Sequence, residues 1–175
     1  GKSHLLQACC LQASVAEAAV YLPLKLLKTG GVGVLEGLSQ QSLVALDDLD
    51  AIAGDAAWEE ALFCLMNEIR QRGKPYLLLS GRESPAAIPI RLPDLKSRLY
   101  WGLITQLLPL KDEQKMHTLQ QYAKQRGFEL TDRVASFLIS RFNRDMHNLM
   151  RLLRQLDQHS LVAQRPITVP FVKQL

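Results

Sequence analysis

The sequence predicts an α/β fold, a mostly parallel sheet layered with helices, followed by a small all-helical subdomain. Three observations carry this. Short continuous apolar runs alternate with helical patterns across the first 108 residues, the arrangement that builds parallel βαβ units. After Pro109 the strand-like runs stop and only helical periodicity remains. The chain of 175 residues is 47% hydrophobic and 22% charged, which supports a buried core and excludes a disordered chain. The expected organisation is therefore a base over 1–108 and a helical part over 109–175.

Taken in order, Ser3 to about Ala18 is rich in Leu, Ala, Gln and Cys at helical spacing and predicts a helix. Ala19–Leu24 predicts a short strand, and Gly30–Gly33 a loop. Ser42–Leu46 is continuously apolar and stops at Asp47-Asp48, as a strand covered on both faces would. Asp55 is a candidate N-cap and Gly73 a stop for a helix between them, with Trp58, Leu62, Leu65, Met66 and Ile69 on one face. Tyr76–Ser80 and Leu103–Leu107 are further strand candidates. Helices are then expected over 112–126, 131–142, 145–158 and 170–175, punctuated by Gly127, Thr131 and Arg165-Pro166.

Composition narrows the function classes. The net charge of +4 permits contact with nucleic acid without arguing for it, because the basic residues are scattered and lack interleaved aromatics. Cys9, Cys10 and Cys64 form no metal-binding spacing, which fits a reducing cytosol and argues against a zinc site or disulfide scaffold. No apolar run approaches the ~20 residues that span a bilayer, so a cytoplasmic location without membrane contact is expected.

Four places carry residues suited to phosphate chemistry. Gly1-Lys2-Ser3-His4 reads as the second half of a phosphate-binding loop, in which helix N–H groups cradle phosphates, lysine reaches the outer ones and serine binds Mg²⁺. A solvated N-terminal turn is the bland alternative. The full motif needs a glycine about five residues earlier and a strand before that, so the chain is expected to lack the start of the loop. Asp47 and Asp48 end a buried strand, where open α/β sheets bind ligands. One carboxylate could hold the Mg²⁺ shell and the other orient a water, or the pair could simply open a turn. Ser80 ends the next strand, beside the place a terminal phosphate would occupy. In Leu92–Leu99, Asp94 and Ser97 are expected to flank a short helix, with Arg98 just after it. Arg98 is either a surface arginine paired with Asp94 or one that reaches across a subunit boundary. Trp58 and Trp101 are read as packing residues, and Arg151 and Arg154 as a solvated helix face, with contact to an acidic partner as the minority alternative.

Gly1–Leu6, Leu46-Asp47-Asp48, Leu79-Ser80-Gly81, Leu95–Gly102 and Ile167–Val172 occur in an order and spacing that resembles the AAA+ region of the DnaA family. The segments Leu92–Leu95, Ile52–Asp55 and Arg126–Leu130 are more similar to its Hda-like regulators than to the initiator. The resemblance implies an AAA+ fold with Lys2 and Ser3 in Walker A, Asp47 and Asp48 in Walker B, and Ser80 as sensor 1. Gly1 and His4 would contribute backbone to the phosphates, and Ser3 and Asp47 would hold Mg²⁺. It implies ADP or ATP as the nucleotide, and Arg98 as a trans-acting arginine finger that stimulates ATP hydrolysis on the initiator DnaA. It further implies contact with the DNA polymerase sliding clamp through an N-terminal peptide absent here, and DNA contact that is indirect or weak. A homo-oligomer is left open. The sensor 2 arginine of the family falls on His147, which would weaken the chain's own hydrolysis; an offset of one turn would give the role to Arg144 or Arg151 instead. The rival readings are a DNA-handling ATPase and an interaction module that no longer uses nucleotide.

Overall fold

The structure is a computed structural model that describes residues 1–15, 17–142 and 145–173. It divides into two compact units, Gly1–Leu107 and Leu108–Leu175.

The first unit is built on three strands, β1 (Ala19–Pro23), β2 (Leu43–Asp47) and β3 (Tyr76–Leu79), all parallel in the order β1-β2-β3. The central strand β2 is buried at every position, which explains its unbroken apolar sequence. Its residues alternate between two cores, as the twofold period of a strand requires. Val44 and Leu46 pack with Trp58, Leu62 and Leu65 of α3 (Ala56–Arg72). Leu43 and Ala45 pack with Leu6 and Cys10 of α1 (Lys2–Ala13). Asp47 continues the second set, so the strand's own periodicity turns its carboxylate toward the α1 side.

The ends of α3 follow the sequence reading. The Asp55 carboxylate accepts the Trp58 amide at the N-terminus, and Gly73 takes the left-handed conformation at the C-terminus, where only glycine is free of Cβ strain. Between β1 and β2 run α2 (Leu24–Leu27) and three short 3₁₀ turns that occupy the predicted glycine-rich loop. After β3 comes α4 (Pro93–Arg98), which contains Asp94 and Ser97 within its turns; they do not flank it as expected.

Leu103–Leu107, expected as a strand, is not one. Among the described residues no strand pairs with it, and Leu103 is almost fully exposed. Its apolar composition mimicked a covered strand, but without a ladder partner the backbone forms no sheet.

The second unit comprises α5 (Asp112–Gln125), α6 (Asp132–Arg141), α7 (Met146–Ala163) and α8 (Val169–Val172) around a separate core of Leu119, Leu138, Leu149, Leu153 and Leu156. α7 runs past the expected end at Gln158, because no glycine or proline interrupts it; it stops at Gln164 in the left-handed conformation. Within this unit the buried Asp157 takes both Nε and Nη2 of Arg126, at 3.1 and 3.0 Å. Part of the expected last helix, residues 174 and 175, lies outside the described residues.

Candidate functional site

At the C-terminal edge of the sheet, three of the sequence-predicted residues come together. The Ser80 hydroxyl donates to Asp47 Oδ1. The Tyr21 hydroxyl, from β1, donates to Oδ2 at 2.7 Å. The Ser3 side chain, in the first turn of α1, lies near the same carboxylate and favours its ionised form. Burial pushes the Asp47 carboxyl upward, but the donors Ser3, Ser80 and Tyr21 and the Asp48 amide outweigh it, and the group sits below the usual carboxylate value. Asp47 is therefore a buried anion at neutral pH, held by hydroxyls and, among the described residues, without an ion-pair partner. Tyr21 is shifted the opposite way, by burial and then by the adjacent Asp47.

Asp48 follows with a left-handed backbone, φ 58° and ψ 52°. Such a conformation in a non-glycine residue is costly, and aspartate is among the few that tolerate it. It turns the chain out of β2, and the Asp48 amide meets the Ser80 hydroxyl at 3.4 Å. Ser80 is thus both donor to Asp47 and acceptor from Asp48, which locks the two strand ends together.

The loop after Ser80 is fixed by a residue to which the sequence reading gives no role. The Asp50 carboxylate accepts the Arg82 amide at 2.9 and 2.8 Å and the Glu83 amide at 3.3 Å. Glu59 is a second omission. It is buried at the first turn of α3 and accepts from the Gly54 amide at 2.6 Å, the Arg91 amide at 3.0 Å and the Leu92 amide at 2.8 Å. The only signal for it was a glutamate next to Trp58 on an otherwise apolar face.

Lys2 is half-buried and His4 exposed, both in the first turn of α1, with Gly1 as its N-cap. The helix is 12 residues long, and its first turn, which carries the partial positive charge of the helix, brings Ser3 near Asp47. An ionised carboxylate with a serine hydroxyl beside it is an oxygen donor set of the kind that suits a divalent cation such as Mg²⁺.

Arg98 is placed elsewhere in the same unit. Its Nε donates to Asn67 Oδ1 at 2.9 Å and its Nη1 to the Asp94 carbonyl at 3.0 Å. The expected pairing with the Asp94 carboxylate is replaced by this backbone contact. Its guanidinium lies 3.9 Å from the Phe63 ring centre and 4.9 Å from that of Trp101. Trp58 packs as expected, at 3% exposure, but Trp101 does not: it is 46% exposed in the turn after α4 and carries guanidinium groups on its ring.

In the second unit, His147 is exposed in the first turn of α7, and Arg151 and Arg154 are exposed further along it. Arg144 lies outside the described residues. The three cysteines are free thiols. Among the described residues no cluster of His, Cys, Asp and Glu has the composition of a multi-ligand metal centre, and no helix is long and apolar enough to cross a membrane.

A parallel sheet with an anionic strand end beside a helix N-terminus, followed by a helical unit, defines the class: this is the AAA+ fold. Domain III of DnaA from Thermotoga maritima matches it with a TM-score of 0.80 at 20% identity, over 98% of this chain and 77% of that one. AMPPCP-bound DnaA from Aquifex aeolicus matches with a TM-score of 0.73 at 20% identity, over 89% and 51% of the two chains. The RuvB branch migration motor of Thermotoga maritima follows at 0.64 and 14%, over 99% and 66%. In sequence, residues 112–175 match the family described as "Hda, lid domain". An uncharacterized protein of Haemophilus influenzae is 49% identical over 176 residues, all of this chain and 76% of the relative. Residues 112–175 thus match the Hda lid family, and the chain as a whole has the AAA+ fold that these DnaA and RuvB structures share.

Proposed function

We propose that this protein restrains chromosomal replication initiation by stimulating ATP hydrolysis on the initiator DnaA, with Arg98 as the arginine supplied in trans. One observation carries the reading: among the described residues, the hydrogen-bond and ring contacts of Arg98 lie on α3, α4 and the turn after it, and none belongs to the Asp47 network. An arginine serving the chain's own nucleotide would be gathered with Ser3, Asp47 and Ser80. Partly buried at the surface and held apart from them, Arg98 is suited to a phosphate on another molecule.

The Asp47 site is the chain's own nucleotide site in this reading. Gly1, Lys2, Ser3 and His4 offer backbone and side-chain donors to the phosphates of ADP or ATP. Ser3 and Asp47 would hold Mg²⁺, which when bound neutralises phosphate charge. Because both oxygens of Asp47 take hydroxyl donors, the carboxylate would act on the metal through water and would orient its shell. Asp48, with no donor from another described residue on its carboxylate, is the group placed to orient a water, and Ser80 ties its backbone to Asp47. The family resemblance gives His147 the role of an arginine; an imidazole lacks the bidentate fork of a guanidinium and makes a poorer phosphate ligand, so bound nucleotide would serve mainly to shape the protein. The sliding clamp is proposed as the second partner, on the strength of the family alone.

The test uses full-length protein. Labelled ADP should bind to the native chain and lose affinity in Lys2→Ala, while His147→Arg should raise intrinsic ATP turnover by about tenfold, the size of one added charged hydrogen bond. Robust turnover that is equal in the native and His147→Arg forms would reject the account of the chain's own site.

A further inference from the structure

Trp101 gathers two arginines. Arg98 lies 4.9 Å from its ring centre and Arg70 lies 4.1 Å from it. Arg70 comes from the last turn of α3, on the helix face it shares with Phe63 and Asn67, four and three residues apart. Those two residues are the ones that grip Arg98. The cluster is therefore one continuous arrangement, Phe63, Arg98, Trp101 and Arg70, with Asn67 holding one edge of the finger.

Its electrostatics are unbalanced. Among the described residues neither Arg70 nor Arg98 is within ion-pair distance of a carboxylate. A ring face attracts a guanidinium by about 0.5–1 kcal/mol at an exposed site, which holds the groups in place without neutralising them. Two like charges are thus concentrated on one exposed indole. The Nη2 of Arg98 has no partner among the described residues, and Arg70 makes no hydrogen bond among them, so both keep donor forks for a ligand. Planar forks of this kind match phosphate oxygens, and a chain of phosphates offers enough oxygens for both.

We infer that Arg70 is a second phosphate-binding arginine, working beside Arg98 on the triphosphate of the nucleotide held by the partner, and that Trp101 positions both. This rests on the reading of Arg98 as a trans-acting residue. In the step they serve, a water oxygen bonds to the γ-phosphorus and the bond to the β–γ bridging oxygen breaks. The products are ADP, inorganic phosphate and a proton. Negative charge builds on the bridging and γ oxygens as that bond breaks, and two guanidinium groups stabilise it better than one.

The experiment follows single-turnover release of labelled phosphate from DnaA loaded with γ-labelled ATP, as full-length protein is titrated in. Arg70→Ala should lower the maximal rate about tenfold while the half-saturating concentration stays within about twofold, the signature of an interaction made mainly in the transition state. Arg70→Lys should recover part of the rate through its charge, and Trp101→Phe should keep more of it than Trp101→Ala because a ring remains. Trp101 fluorescence, taken as the difference between the native chain and Trp101→Phe, should change on mixing with ATP-loaded DnaA and not with the ADP form. A native rate in Arg70→Ala alongside an inactive Arg98→Ala overturns this inference and leaves the proposed function standing. An active Arg98→Ala overturns both. Loss of affinity for a labelled single-stranded oligonucleotide in Arg70→Ala, with hydrolysis unchanged, would assign the cluster to nucleic acid and also overturn it.

Discussion

Asp47 and Arg98 lie in the same structural unit, yet they are held in opposite ways. Asp47 is 2% exposed, sits at the end of a central strand and is surrounded by hydroxyl donors. Arg98 is only partly buried, sits at the end of a six-residue helix and is gripped by aromatic faces and an amide. The first is a buried anion that attracts a cation and the phosphates it carries. The second is an outward cation, suited to phosphates carried by another molecule. Under the proposed function this difference gives the two halves of the chemistry to different molecules, with nucleotide held inward and hydrolysis promoted outward.

Substitutions that touch one cluster and spare the other sharpen this contrast. Glu59→Ala has the largest expected effect. It leaves the Gly54, Arg91 and Leu92 amides without an acceptor at a buried site, a cost of about 3 kcal/mol by chemical denaturation. Because Arg91 and Leu92 lead directly into α4, the variant should also lower stimulation of partner hydrolysis while nucleotide binding survives below the unfolding transition. Equal damage to both functions would show that the two clusters are not separable.

Asp47→Asn should come next. It keeps the shape and removes the charge, and the Mg²⁺-dependent part of nucleotide affinity should fall about 10- to 100-fold, as for other groups that act on a metal through its outer shell. Titration with labelled ADP at fixed Mg²⁺ measures it, and unchanged affinity would remove Asp47 from the site. The same variant carries a pH signature. The folded-state value of Asp47 lies below its ordinary one, so its stabilisation is present above the ordinary carboxylate range and is lost as pH falls through that range to the folded value. The stability gap between native chain and Asp47→Asn should therefore close in acid; a gap that widens there would contradict the sign.

Tyr21→Phe has the smallest expected effect, about 1 kcal/mol for one hydrogen bond to a partly solvated carboxylate network. It should shift the denaturation midpoint slightly and leave stimulation of the partner untouched. A loss of stimulation would mean that the inward site controls the outward one.

The same contrast explains what was legible in the sequence. β2 and Asp47 were readable because strand periodicity and burial act locally: an apolar run that ends in aspartates already places a carboxylate at a sheet edge. The capping of α3 by Asp55 and Gly73 was readable for the same reason. The aromatic cluster was not, because Asn67 and Arg98 are 31 positions apart and meet only through packing of α4 on α3. Trp101 looked like a core residue on composition alone, and Leu103–Leu107 looked like a strand, since an apolar run does not say whether a partner lies alongside. Glu59 and Asp50 were missed because their partners are backbone amides, which leave no mark on side-chain spacing.

The central claim is that the chemistry promoted by this protein occurs on a nucleotide it does not itself hold. The most direct measurement loads DnaA with γ-labelled ATP before mixing and compares full-length native protein with Arg98→Ala in a single turnover. The account predicts rapid phosphate release with the native chain and a rate lower by about 10³-fold or more with Arg98→Ala, within the range for trans-acting arginines, with ADP binding by the variant unchanged. Native-like phosphate release by Arg98→Ala would contradict it.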